Sequence, residues 1–335
     1  MSKSNEPLRA GVIGVGNMGQ YHARVYSELA ETELVGVADA DFSRAQQIAE
    51  EHSTDAYAIE ELLDRVDMVS VAVPTQYHSD VARECIAAGV DLLIEKPLVE
   101  DPEDGRDLIE YADESDIVLQ VGHIERFNPA VRTLMGMVND LDIISISAER
   151  LGPPLTRAIE DTAIMDLMIH DLEILMAIVE EEVTSIQTVG NHDARYAASL
   201  LQFESGIIGQ LTASRVTQRK IRQLTITAAD CWVKVDYIDQ SIEIHRQSTP
   251  EFVNRGDIHH RHANVVERLS IDHTEPLKNE LSSFTEAVRR NEEPVVTGED
   301  GLRALELTQK IDEMASDPNR KQDEARDAFT HSIID

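Results

Sequence analysis

The chain has 335 residues, 30 Lys+Arg against 63 Asp+Glu, a formal net charge of −33, and 42% hydrophobic but only 4% aromatic residues. That length calls for two cores rather than one, the apolar fraction is too high for a disordered acidic chain, and a strongly negative field repels nucleic acid and anionic membranes. No apolar run reaches the roughly 18 residues of a membrane span, the opening Met-Ser-Lys-Ser-Asn-Glu-Pro lacks the apolar stretch of a secretory signal, and Cys85 with Cys231 make no disulfide framework, so a reducing cytoplasm is the expected setting.

Along residues 1–122, short Val- and Ile-rich runs alternate with segments of helical apolar spacing. The runs are Arg9–Val15, Leu34–Ala38, Met68–Val73, Leu92–Ile94 and Ile117–Val121. Strands apolar on both faces, separated by helices, predict an α/β doubly wound parallel sheet, a Rossmann-type domain. After Gly122 the texture changes: a strand at Ile143–Ala148, the turn Gly152-Pro153-Pro154 and a helix over Thr162–Val179 lead into closely spaced strands. These are Ser185–Val189, Ala198–Phe203, Ile207–Ser214, Gln223–Ala228, Trp232–Tyr237 and Ile242–His245, with helices at Leu277–Arg289 and Gly301–Met314. Short turns between them predict an open, mostly antiparallel sheet in an α+β domain over 123–316, followed by a charged tail, 317–335.

Gly14-Val15-Gly16-Asn17-Met18-Gly19 matches G-x-G-x-x-G between a strand and a helix, with Asp39 twenty residues beyond Gly19 at the end of the second strand. Gly14 permits the turn, Gly16 the approach of a pyrophosphate, and Gly19 the packing of helix on strand. Asp39 accepts hydrogen bonds from ribose hydroxyls and repels a 2′-phosphate, with Asp41 adding to the repulsion and Arg44 opposing it. The reading favours NAD over NADP.

Further candidates end strands at the ligand-binding edge of such a sheet. Pro74 and Thr75 follow Val73, and His78 opens the next helix as either a solvated residue or a ligand contact. Glu95-Lys96-Pro97 ends the fourth apolar run, with Lys96 one of only seven lysines. Asp166 and His170 lie four apart on a predicted helix, the spacing of a carboxylate that orients an imidazole for proton transfer. His259, His260 and His262 lack the partners of a metal site, and Cys85 and Cys231 read as core. Among the cations 23 are Arg, and acids are dispersed along the whole chain. That pattern predicts an acid-coated, salt-adapted surface.

Taken together, the glycine turn, Val73-Pro74-Thr75 with His78, Glu95-Lys96-Pro97 and Asp166-x-x-x-His170 resemble the Gfo/Idh/MocA oxidoreductases over residues 8–315. The resemblance implies a Rossmann domain, a C-terminal sheet that forms a homo-oligomer interface (dimer or tetramer), and Lys96, Asp166 and His170 as the catalytic set. It extends NAD contacts to Gly14, Gly16, Asn17, Met18, Gly19, Asp39, Pro74, Thr75, His78 and Glu95. Val121–Pro129 and Asp166–Asp171 are similar to a branch of the family acting on a nucleotide sugar, UDP-N-acetylglucosamine, at C3. For that substrate Arg126, Asn128 and Arg157 are candidate contacts, since Arg suits bidentate binding of a diphosphate. The alternatives are an inositol or free-sugar dehydrogenase, or a non-catalytic cofactor-binding regulator.

Overall fold

A computed structural model describes residues 6–154, 162–191, 194–247, 251–255, 257–261 and 264–316. In chain order the first part contains β1 (Leu8–Ile13), α1 (Gly19–Glu28), β2 (Thr32–Ala38), α2 (Phe42–His52), β3 (Asp55–Ala56), α3 (Ile59–Leu63), β4 (Met68–Val71), α4 (His78–Ala87), β5 (Asp91–Glu95), α5 (Pro102–Glu114) and β6 (Leu119–Gly122). Next come α6 (Pro129–Met135), β7 (Ile143–Leu151), α7 (Ile169–Val179), β8 (Val183–Gly190), β9 (Tyr196–Phe203), β10 (Ile208–Ser214), β11 (Ile221–Ala228) and β12 (Cys231–Asp236). The chain continues with β13 (Ser241–Gln247), β14 (Glu251–Arg255), β15 (Asp257–Arg261), β16 (Asn264–Arg268), α8 (Pro276–Arg290) and α9 (Gly298–Ser316). Two compact units emerge, drawn from Met1–Pro129 with His273–Glu306 and from Ala130–Asp272 with Leu307–Asp335. The sequence suggested a single second segment, 123–316; the contacts instead divide that stretch between the units.

In the first unit, six parallel strands run in the order β3-β2-β1-β4-β5-β6 among the described residues. The order reverses next to β1, which opens a crevice at the carboxyl ends of the strands. Helix starts are written locally: Asp41 caps α2 by accepting from the Ser43 and Arg44 N–H groups, and Asp101 caps α5 ahead of Pro102. Val12, Val37, Met68 and Leu93 of the sheet meet Tyr26 of α1 and Leu277, Leu281, Phe284 and Val288 of α8 in one core.

The second unit is built on a sheet ordered β16-β13-β12-β11-β7-β10-β9-β8. It is antiparallel except where β10 runs parallel to β7. One face packs Ile146, Leu211, Leu224 and Val233 against Leu172 and Leu175 of α7. The other face is open, as the alternation of buried and exposed residues along β9 shows. Register sets Gln187, Leu200, Gln210, Ser147 and Thr225 across that open face. Over β8, β9, β10, β7 and β11 its described residues carry one charge, Glu149, which accepts from Gln223 Nε2 at 2.8 Å. The three strands β14–β16 lie beyond those expected from the sequence. The expected single helix over Thr162–Val179 instead begins with a π turn, Ile164–Met168, before α7.

Candidate active site

The glycine turn is a cradle that side chains would fill. Gly14 has φ +85°, and a Cβ there would lie 2.7 Å from the Val73 nitrogen; one on Gly19 would lie 1.8 Å from the Gly14 carbonyl oxygen. A Cβ on Gly16 would meet only open space, so its backbone is approachable from outside. Asn17 is exposed and Met18 half-buried in the same turn. Asp39, at the tip of β2, is fixed by two backbone donors: Val15 N–H at 2.8 Å and Asp41 N–H at 2.9 Å. Arg44 lies alongside, donating from Nε to the Val15 carbonyl at 3.1 Å and from Nη2 to Gln20 Oε1 at 3.0 Å. This combination fits NAD, with open backbone for the pyrophosphate and an oriented carboxylate for the ribose.

Two further turns follow β4 and β5. Pro74 is exposed and Thr75 half-buried in the first. In the second, Lys96 is half-buried and its peptide bond to Pro97 is cis. His78 is buried between the two turns: Nδ1 lies 2.9 Å from the Pro97 carbonyl and Nε2 2.9 Å from the Val73 carbonyl. Burial pushes its pKa below the usual imidazole range, despite both carbonyls favouring the charged ring. Both ring nitrogens are thus taken up inside the protein, and His78 braces the Lys96 turn.

Glu95 accepts from His22 Nε2 of α1 at 2.8 Å, a link that no spacing rule in the sequence reveals. Beyond β6, His123 is buried; its burial, then the charges of Lys96 and Arg126, push its pKa down to about 3. Arg126 is half-buried on the 3-10 turn Ile124–Phe127, and the buried Asn128 donates from Nδ2 to Glu125 Oε2 at 3.3 Å.

In the second unit, the π turn carries Asp166, and the Ile169 N–H bonds to the Ile164 carbonyl, one residue further back than in an α-helix. His170 stands in the first turn of α7. Arg215, just past β10, donates from Nη2 to Asp166 Oδ2 at 2.6 Å, and its side chain is only 9% exposed. Asp171, next to His170, accepts from Arg150 Nε and Nη2, each at 2.8 Å, in a pair exposed by 4% and 3%. Arg150 is therefore committed to the start of α7. Arg157 lies outside the described residues, as does His262; His259 and His260 lie on β15. Cys85 and Cys231 are free and buried.

Sheet order, glycine cradle and the acid at the tip of β2 define a Rossmann domain that fits NAD. The chain belongs to the Gfo/Idh/MocA family: residues 8–123 match the oxidoreductase family with NAD-binding Rossmann fold, and residues 148–236 the GFO/IDH/MocA C-terminal domain. It is similar to UDP-N-acetylglucosamine 3-dehydrogenase of Acidithiobacillus ferrooxidans, with 32% identity over 89% of this chain and 94% of that protein. A solved structure under that name superposes with TM-score 0.83 at 30% identity, covering 92% of this chain and 98% of the other. Inositol 2-dehydrogenase of Rhizobium meliloti is 28% identical over 90% of this chain and 94% of that protein. The protein is accordingly an NAD-dependent dehydrogenase acting on a CH–OH group. No helix among the described residues is long and apolar enough to cross a membrane.

Proposed function

We propose that the protein oxidises UDP-N-acetylglucosamine at C3 to the 3-keto sugar. The observation that carries this reading is the 32% identity, over nearly the whole of both chains, with a dehydrogenase named for that substrate. NAD, when bound, supplies the hydride acceptor, held by the turn Gly14–Gly19, Asp39, Pro74, Thr75 and the Glu95 segment. In this reading His170 takes the proton of the reacting hydroxyl as general base, and Asp166 orients its imidazole. The Lys96 ammonium hydrogen-bonds the same oxygen and stabilises the charge that develops on it. Arg215 anchors Asp166, and the Arg150–Asp171 pair fixes the turn bearing His170. Arg126, Asn128 and Arg157 serve the nucleotide-sugar diphosphate, Asn128 from a buried position beside Glu125.

The same proposal covers the setting. An acid-coated chain with few lysines suits a salt-rich cytoplasm, and the open sheet face, nearly free of charge, suits a homo-oligomer. Assay of a nucleotide-sugar panel in molar KCl, with NAD and with NADP, tests the substrate. NADH formed from UDP-N-acetylglucosamine supports it. Efficient oxidation of myo-inositol or free glucose, with none of the nucleotide sugar, transfers the function to the second reading, which the 28% identity with inositol 2-dehydrogenase favours.

A further inference from the structure

On α8, Glu280 falls within the apolar stripe of Leu277, Leu281 and Phe284 that fills the core of the first unit. It is fully buried, and neither carboxyl oxygen has a hydrogen-bond partner among the described residues. The layer it enters is polar. Register aligns Ser70, Leu93 and Gln120 in one row across β4, β5 and β6, with Glu95 and Gly122 paired on the same face two residues further on. Leu93 shares a core with Tyr26 and Leu281, so this is the face covered by α1 and α8. Tyr26 Oη lies 2.9 Å from Ser70 Oγ, and His22 bonds Glu95 at 2.8 Å. Gln120 Oε1, Gln120 Nε2 and His22 Nδ1 are, like the Glu280 oxygens, buried without a partner among the described residues.

We propose that Glu280 is a positioning residue: it holds a proton at working pH and so preserves the His22–Glu95 link that fixes the turn carrying Lys96. The inference rests on the reading of Lys96 as a catalytic group. Two carboxyls in one layer of low dielectric do not both ionise, so one keeps its proton. Glu95 has the His22 donor and a side chain 12% exposed, whereas Glu280 has no solvent and no donor among the described residues. Glu280 therefore keeps the proton: burial first, then the Glu95 charge, push its carboxyl well above the usual range. A protonated carboxyl also offers a donor and an acceptor, which suits a layer containing Gln120. The elements packed on α8 bring His22, Tyr26 and Arg24 from α1 and Glu125 and Arg126 from the turn Ile124–Phe127, and the Glu95 charge acts on Glu280 from the end of β5. Arg24 is committed to Glu28 and Glu275 at the surface. Ionising Glu280 would set a second negative charge against Glu95 and drive the Lys96 turn out of place.

The sign of the pH dependence follows. A carboxyl raised in the folded state contributes its full stability below the unfolded pKa and loses it as pH rises towards the folded one. Glu280→Gln and Glu280→Leu, made in the full chain and measured in molar KCl, test this. As pH rises above the unfolded carboxyl range, the Tm of Glu280→Gln relative to wild type should climb, the wild-type unfolding constant growing by up to about tenfold per pH unit against the variant. Glu280→Leu, which removes the donor and acceptor that the protonated carboxyl offers this layer, should lower kcat by about tenfold or more, and Glu280→Gln should recover most of that loss. Glu280→Gln should also keep its kcat at alkaline pH where wild type declines. A Tm difference independent of pH overturns the proton assignment, and an unchanged kcat in Glu280→Leu overturns the positioning role. If Glu280→Leu fails to fold, the Tm slope and alkaline profile of Glu280→Gln decide alone. Normal turnover in Lys96→Met would overturn the Lys96 reading and the positioning role with it, while leaving the Tm slope untouched, so the two failures are distinguishable.

Discussion

The Arg150–Asp171 pair offers the most quantitative check on how the second unit holds α7. Arg150→Met keeps most of the side-chain volume and removes the guanidinium, which donates twice to Asp171 at 2.8 Å and lies 5.4 Å over the Tyr237 ring. Asp171 is then a carboxylate exposed by 3% without its main counter-charge. Stranding one partner of a buried pair costs about 3–5 kcal/mol. For a unit of this size each kcal/mol shifts Tm by about 2–4 °C, so the loss should be roughly 6–20 °C. The double variant Arg150→Met/Asp171→Leu should recover most of it, because apolar replacement of a whole buried pair is close to neutral. Thermal unfolding by circular dichroism at fixed KCl reads both numbers. A single-variant loss below about 2 °C, or a double variant no better than the single, would refute the reasoning.

His170→Ala should lower kcat by about 10²–10⁴-fold while NAD binding, followed by calorimetry, survives; near-normal turnover would remove it from the reaction. Replacing Asp39 by Ser should weaken NAD binding and narrow the preference over NADP, because the carboxylate that Val15 and Asp41 orient is lost. Equal use of NADP by the wild type would contradict the role of Asp39. Tm should rise steeply from low to molar KCl as a charge of −33 is screened, and a flat Tm across that range would sink the salt-adapted reading.

The first unit was largely legible because its strands are apolar on both faces and its glycine turn stands between strand and helix. The second unit was legible in outline from alternating runs joined by short turns. What escaped depends on information that spacing does not contain. The pattern of α8 shows which residues it buries but not against what, so the return of residues 273–306 to the first unit was invisible. Ile164, Met165, Leu167, Met168 and Ile169 are apolar almost all round, which hides the extra residue of a π turn. Arg215 looked like any other arginine until the fold set it beside Asp166, spacing gave no sign that Arg150 pairs with Asp171, and His22 met Glu95 across 73 residues. Strands β14 to β16 mix charged and apolar residues too evenly for alternation to register.

The open face of the large sheet invites a different kind of reading, in which missing charge is the signal. With 28% of the chain charged, the nineteen positions that β8, β9, β10, β7 and β11 turn to that face would carry about five charges if composition alone decided; Glu149 is alone there among the described residues. A surface of Ser, Thr, Gln and scattered apolar side chains generates almost no field of its own. A negatively charged body approaching it, a second copy of this chain included, feels mainly the repulsion of the remaining acids, which acts over about 30 Å at 0.01 M salt and only about 3 Å at 1 M. Ionic strength therefore controls access to this face from a distance, without any group on the face having to titrate or move.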